Sequence, residues 1–144
     1  MSDCNKALII STVKTCGKKH MEFDLKFLNQ TILEKDILLT LRFYTWEGAW
    51  LSIGYHQKEI PNHWTELSEE GIIKIVRRPS GGGAVLHDGG ITYAFTCKKP
   101  FYKKFSYHKI NNWLIKSFSE IGLELTNGKI KRSEILDNCF SSNF

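Results

Sequence analysis

The chain has 144 residues, 42% of them hydrophobic and 24% charged, with a formal net charge of +5 and a pI near 9.0. That composition excludes wholesale disorder and low-complexity or collagen-like sequence, and the length predicts a single domain over residues 1–144. No apolar run approaches the ~20 residues of a membrane span and the N-terminus carries no signal-peptide core, so no membrane association and a cytoplasmic location are expected.

In chain order, residues 7–13 (ALIISTV) predict a strand, being short, apolar and β-branched. A basic turn containing Gly17 follows. Residues 20–34 predict an amphipathic helix with Met21, Leu25, Leu28 and Ile32 on its buried face. Residues 37–44 (ILLTLRFY) predict a strand with Ile37, Leu39, Leu41 and Phe43 on one face, and residues 49–53 a second strand closed by Gly54. Residues 63–70 predict a short helix stopped by Gly71, and residues 72–77 a strand. After Pro79-Ser80-Gly81-Gly82-Gly83, residues 84–86 are apolar, residues 87–90 (HDGG) predict a hairpin turn, and residues 91–96 the returning strand. Ser106 predicts an N-cap for a helix reaching Ile121, with Ile110, Trp113, Leu114, Phe118 and Ile121 buried and Gly122 as the stop. Strands in series with helices set between them predict an α+β fold, a mixed β-sheet with helices packed on it. Strict βα alternation is absent, which speaks against a doubly wound nucleotide fold.

The positive charge favours an anionic partner, although ordinary solubility explains a mild excess equally well. The four cysteines (Cys4, Cys16, Cys97 and Cys139) form no CxxC pair and the histidines have no ligand spacing beside them, so neither a disulfide frame nor a metal site is expected. Glycines concentrate between Gly81 and Gly90. Glycine permits close backbone approach, and consecutive N–H groups converge on anions, with Arg77 and Arg78 placed just upstream. A tight hairpin flanked by surface charge is the plain alternative. GxGxxG fails because Leu86 stands at its last glycine, and the Walker pattern fails at Gly122…Gly128-Lys129. Cys139 reads as an inert small hydrophobe or a nucleophile, since a free thiol has a pKa of about 8.5 and needs a nearby cation to react. His87 reads as a base or as a structural hydrogen-bonding residue. Trp46, Trp50 and Trp64 read as an apolar slot or, by default, as core.

The run VRRPSGGGAVLHD at residues 76–88, followed by Gly90-Ile91-Thr92-Tyr93, closely resembles the signature loop of the biotin/lipoate protein ligase superfamily, with its lipoate–protein ligases and octanoyltransferases. Residues 42–57 resemble that family's strand pair upstream of the loop, and Met21 with Asp24 a pair on its first helix. The likeness runs from about residue 8 to 140 in the same order. It implies the family's α+β catalytic domain and the transfer of a lipoyl or octanoyl group onto a lysine of a small carrier domain. It assigns acyl or acyl-adenylate binding to Arg78, Gly81, Gly82, Gly83, Ala84, Val85 and Leu86, with His87 beside them. Cys139-Phe140 sits where the octanoyltransferase branch carries its nucleophile, which implies a Cys139 thioester. The alternative branch is an ATP-dependent ligase forming an acyl-adenylate. The implied partners are an acyl donor and a lipoyl-domain or glycine-cleavage H-type carrier, with no nucleic acid. No tightly bound cofactor or metal is implied; lipoate or octanoate is the acyl substrate, and ATP with Mg enters only on the ligase route. Family members continue through a glycine-rich strand bearing a lysine, for which Lys129 and Lys131, upstream of Cys139, do not substitute. The expectation is therefore a domain incomplete at its C-terminus: a truncated product, one part of an enzyme whose sheet a second polypeptide completes, or an inactive acyl-binding module.

Overall fold

The computed structural model describes residues 6–99 and 106–126. The elements run β1 (Lys6–Thr15), α1 (Gly17–Leu33), β2 (Ile37–Trp46), β3 (Trp50–Ile53), α2 (Asn62–Glu69), β4 (Lys74–Arg77), β5 (Val85–His87), β6 (Ile91–Cys97) and α3 (Tyr107–Ser119). They build two three-stranded sheets, β1-β2-β6 and β4-β3-β5. Each sheet is mixed: β2 pairs parallel with β1 and antiparallel with β6, and β3 pairs parallel with β4 and antiparallel with β5. The α+β expectation holds, with two small mixed sheets in place of one. None of the described helices is long and apolar enough to cross a membrane.

Parallel pairing of β1 with β2 requires a crossover, and α1 supplies it. The alternation of β2 gives its two faces different chemistry. Thr40, Arg42, Tyr44 and Trp46 face α1, whereas Phe43 lies with Tyr93, Leu114 and Phe118 on the side of α3. The polar face decides the rotation of α1. Leu25 and Ile32, placed by spacing on the buried side, are 46% and 63% exposed; Met21 is buried as expected, and Gly17, His20 and Thr31 turn inward beside it. Thr31 Oγ1 lies 2.9 Å from Thr40 Oγ1 and 3.1 Å from Thr96 Oγ1, and Asp24 Oδ1 accepts from Arg42 Nη2 at 2.6 Å. Burying a leucine gains about 1.5–3 kcal/mol, whereas stranding a buried charge costs about 3–5, so the ion pair wins the helix face.

At its N-terminal end α1 comes close to the tryptophans. A Cβ on Gly17 would lie 2.5 Å from Trp50 Cε3, so only glycine lets the helix start there. Met21, Tyr44, Trp46 and Trp50 form one core cluster. Trp64 of α2 packs on a second, made of Leu51, Ile53, Ile73 and Ala84. Among the three tryptophans weighed as one slot, Trp64 thus belongs to a different core.

Two glycine stops behave as the sequence predicts. Gly71 and Gly122 have φ of +75° and +81°. Ile72 N–H donates to Leu67 O at 3.0 Å and Leu123 N–H to Phe118 O at 2.9 Å, closing both helix ends in Schellman fashion. Ser106 accepts from Lys109 N–H at 3.3 Å as the N-cap of α3. On α3 only part of the predicted stripe is covered: Leu114 is buried, while Trp113 and Ile121 are 51% and 70% exposed. The predicted hairpin at residues 87–90 does not form. β5 pairs with β3 and β6 with β2, so this turn carries the chain from one sheet to the other, with Gly89 at φ +75°. The reason lies in β3, whose four residues are all buried and whose central position needs a ladder partner on each side.

Candidate acyl-binding site

The glycine loop leaves β4 and is seated on the segment that leaves β3. Arg78 N–H donates to Ile53 O at 3.0 Å and Tyr55 N–H to Ser80 O at 2.9 Å. The two arginines then fasten the segments through their guanidinium groups. Arg77 Nη1 donates to the carbonyls of Gly54 (2.7 Å), Tyr55 (3.2 Å) and Gln57 (2.7 Å). Arg78 Nη1 donates to Ser52 O at 2.9 Å and Ser52 Oγ at 3.3 Å, and Nη2 to Gly81 O at 2.7 Å and Gly83 O at 2.6 Å. In this structure both side chains organise backbone.

The clamp on the carbonyls fixes the amides. A trans peptide is planar, with N–H and C=O pointing to opposite sides. Drawing the carbonyls of Gly81 and Gly83 onto Arg78 therefore turns the N–H groups of Gly82 and Ala84 away from the guanidinium. Among the described residues no acceptor takes a hydrogen bond from the amides of Gly81, Gly82, Gly83 or Ala84. Amides without an acceptor beside a half-buried guanidinium are the kind of group that can receive an anion.

Two glycines make the loop possible. Gly82 holds φ +90°, and its carbonyl packs on Gly54, where a Cβ would overlap the oxygen. Backbone meets backbone there and neither side has a flexible end to yield. Gly54→Ala is expected to lower stability by about 1–3 kcal/mol in chemical denaturation and to displace the loop; an unchanged midpoint would mean that the loop does not lie on Gly54.

Beneath the loop, His87 bridges the sheets. Its ring stacks on Trp46 at 4.0 Å between centroids with a 16° interplanar angle. Nε2 lies 2.8 Å from Ser52 Oγ on β3 and Nδ1 3.3 Å from Thr92 Oγ1 on β6. Trp46 Nε1 donates to Thr92 Oγ1 at 2.8 Å. Burial first, then the Arg78 and His20 charges, pushes the His87 pKa down to about 4, so the ring is neutral at pH 7. With both nitrogens engaged, His87 serves as a strut between the sheets and has no ring nitrogen free to act as a base.

Ala84 is buried in the second core, while Val85 and Leu86 pair with Ser52 and Leu51, and Leu86 is 39% exposed. Cys139 lies outside the described residues. Sequence reasoning missed Gly54, Ser52 and Thr92. The available signal for Ser52 was a lone hydroxyl between Leu51 and Ile53 in a strand otherwise apolar.

The model of the lipoyl protein ligase A/B catalytic domain matches residues 17–137. The octanoyltransferase LipM of Clostridioides difficile is 38% identical over 112 residues, covering 72% of this chain and 41% of that protein. LipM of Carboxydothermus hydrogenoformans is 34% identical over 134 residues, covering 88% and 49%. Among solved structures, a bi-partite lipoate protein ligase from Thermoplasma acidophilum, studied with its E2 lipoyl domain, shares the fold with a TM-score of 0.61 and 21% identity, over 88% of this chain and 49% of that one. The chain thus spans two fifths to one half of the length of these two curated relatives.

Proposed function

The chain belongs to the lipoyl protein ligase A/B catalytic domain family, and from that premise we propose that it takes part in protein lipoylation, moving an octanoyl or lipoyl group onto a carrier lysine. The observation that carries this reading is the pair of glycine-loop amides, Gly82 and Ala84, turned off Arg78 and without an acceptor among the described residues. Such donors suit the carboxyl-derived head of a fatty acyl group, whose carbonyl oxygen gains negative charge as the tetrahedral intermediate forms. Arg78, Gly81, Gly82, Gly83 and Ala84 build this cradle, Val85 and Leu86 tie it to β3, and His87 supports it from below.

On the transferase route, the Cys139 thiolate attacks the acyl carbonyl of the donor thioester and expels the donor as its thiolate. The carrier lysine amine then attacks the Cys139 thioester, forming the amide and releasing the thiol with the amine's proton. The likeness to the LipM octanoyltransferases supports this route over an ATP-dependent one. The pairing of the Thermoplasma ligase with an E2 lipoyl domain supports a lipoyl domain as acceptor.

The test is incubation with octanoylated carrier protein, followed by mass spectrometry before and after hydroxylamine. The expected result is an adduct of one octanoyl group, cleaved by hydroxylamine and absent from Cys139→Ala. An adduct that persists in Cys139→Ala overturns the thioester. No adduct, with octanoate- and ATP-dependent pyrophosphate exchange in its place, assigns the chain to the ligase route.

A further inference from the structure

We infer that Ser52 is a positioning residue of the glycine loop, its hydroxyl joining the His87 ring to the Arg78 guanidinium and so setting the direction of the loop amides. The inference rests on the acyl-transfer reading for its chemical consequence, but its geometry stands on the protein alone. Ser52 is 1% exposed, between Leu51 at 0% and Ile53 at 3%. A hydroxyl in such a place is costly unless paired. Its oxygen is paired with His87 Nε2 at 2.8 Å and Arg78 Nη1 at 3.3 Å, and lies 3.5 Å from Val85 O.

An indole N–H and a guanidinium only donate, so Thr92 Oγ1 accepts from Trp46 and Ser52 Oγ accepts from Arg78. His87 links the two hydroxyls through Nδ1 and Nε2, one nitrogen carrying the proton and the other accepting, and either tautomer gives both nitrogens a partner. Without the Ser52 hydroxyl, His87 Nε2 loses its partner on β3 and the ring is released to turn. Arg78 keeps Ser52 O but loses the second contact that holds its fork square to Gly81 and Gly83.

Threonine and valine at position 52 have nearly the same shape and both suit a strand, yet only threonine keeps the oxygen. Comparing Ser52→Thr with Ser52→Val therefore separates hydrogen bonding from packing. In proton–nitrogen NMR spectra, Ser52→Val is expected to move the Gly82 and Ala84 amides and alter the His87 ring nitrogen shifts, and Ser52→Thr to preserve both. With octanoylated carrier protein, the valine variant is expected to lose about 10- to 100-fold in kcat with KM changed less than about threefold. Ser52→Ala, which removes only the oxygen, gives the same comparison should the larger residues not fit. Loop amides that are indistinguishable between the threonine and the valine or alanine variants overturn the role of Ser52. Loop amides that respond in a protein whose wild type neither carries nor transfers an octanoyl group uphold Ser52 and overturn the acyl reading.

Discussion

Asp24→Ala is expected to lower the unfolding free energy by about 3–5 kcal/mol, read as a lower urea midpoint at an unchanged slope. Arg42, 2% exposed, lies between α1 and the sheet. Its Nη2 donates to Asp24 Oδ1 at 2.6 Å and to His20 O at 3.2 Å, Nη1 approaches His20 Nδ1 at 3.3 Å, and the guanidinium lies over the Tyr44 ring at 3.9 Å. Burial pushes the Asp24 carboxyl above its ordinary range, while Arg42 and the Tyr44 hydroxyl pull it back. The pair is therefore a poor source of net stability, but removing the carboxylate alone leaves a guanidinium buried without its counter-charge. The same logic predicts that Asp24→Leu combined with Arg42→Met recovers most of the loss. A midpoint shift worth less than about 1 kcal/mol in Asp24→Ala would show that Arg42 reaches water.

Arg78→Lys is expected to lower the rate of octanoyl transfer by about 10²- to 10³-fold, the size of losing a donor from an oxyanion site. Lysine keeps the charge but has one compact ammonium, which cannot hold Ser52 on one side and the carbonyls of Gly81 and Gly83 on the other. If the planar fork matters because it turns peptide planes, the lysine variant fails despite its charge, and acyl transfer measured on octanoylated carrier shows it. Retention of the rate within about threefold would mean that the positive charge alone is enough.

The fold was legible where local rules act without competition. The glycine stops at Gly71 and Gly122 and the Ser106 cap are local backbone chemistry, and they form as expected. The face of α1 was not legible from α1, because Leu25 and Ile32 lost to a partner, Arg42, that lies on another strand. The strand partners of Val85–His87 and Ile91–Cys97 were not legible from the turn between them. HDGG fits a hairpin equally well, and the choice is made by the buried strand Trp50–Ile53. At the candidate site, the glycine cluster and its arginines fall on the segment seated against the exit of Trp50–Ile53. The use of the arginines was hidden, since a guanidinium looks the same in sequence whether it grips a ligand or its own main chain.

The contacts that shape the glycine loop come from residues 52–57, twenty or more positions upstream, and from Thr92 downstream on the other sheet. The loop is therefore not a transplantable cassette. A synthetic peptide copying VRRPSGGGAVLHD would carry the recognisable letters without the carbonyls that hold its arginines, and a graft into another scaffold must bring the β3 exit along with it.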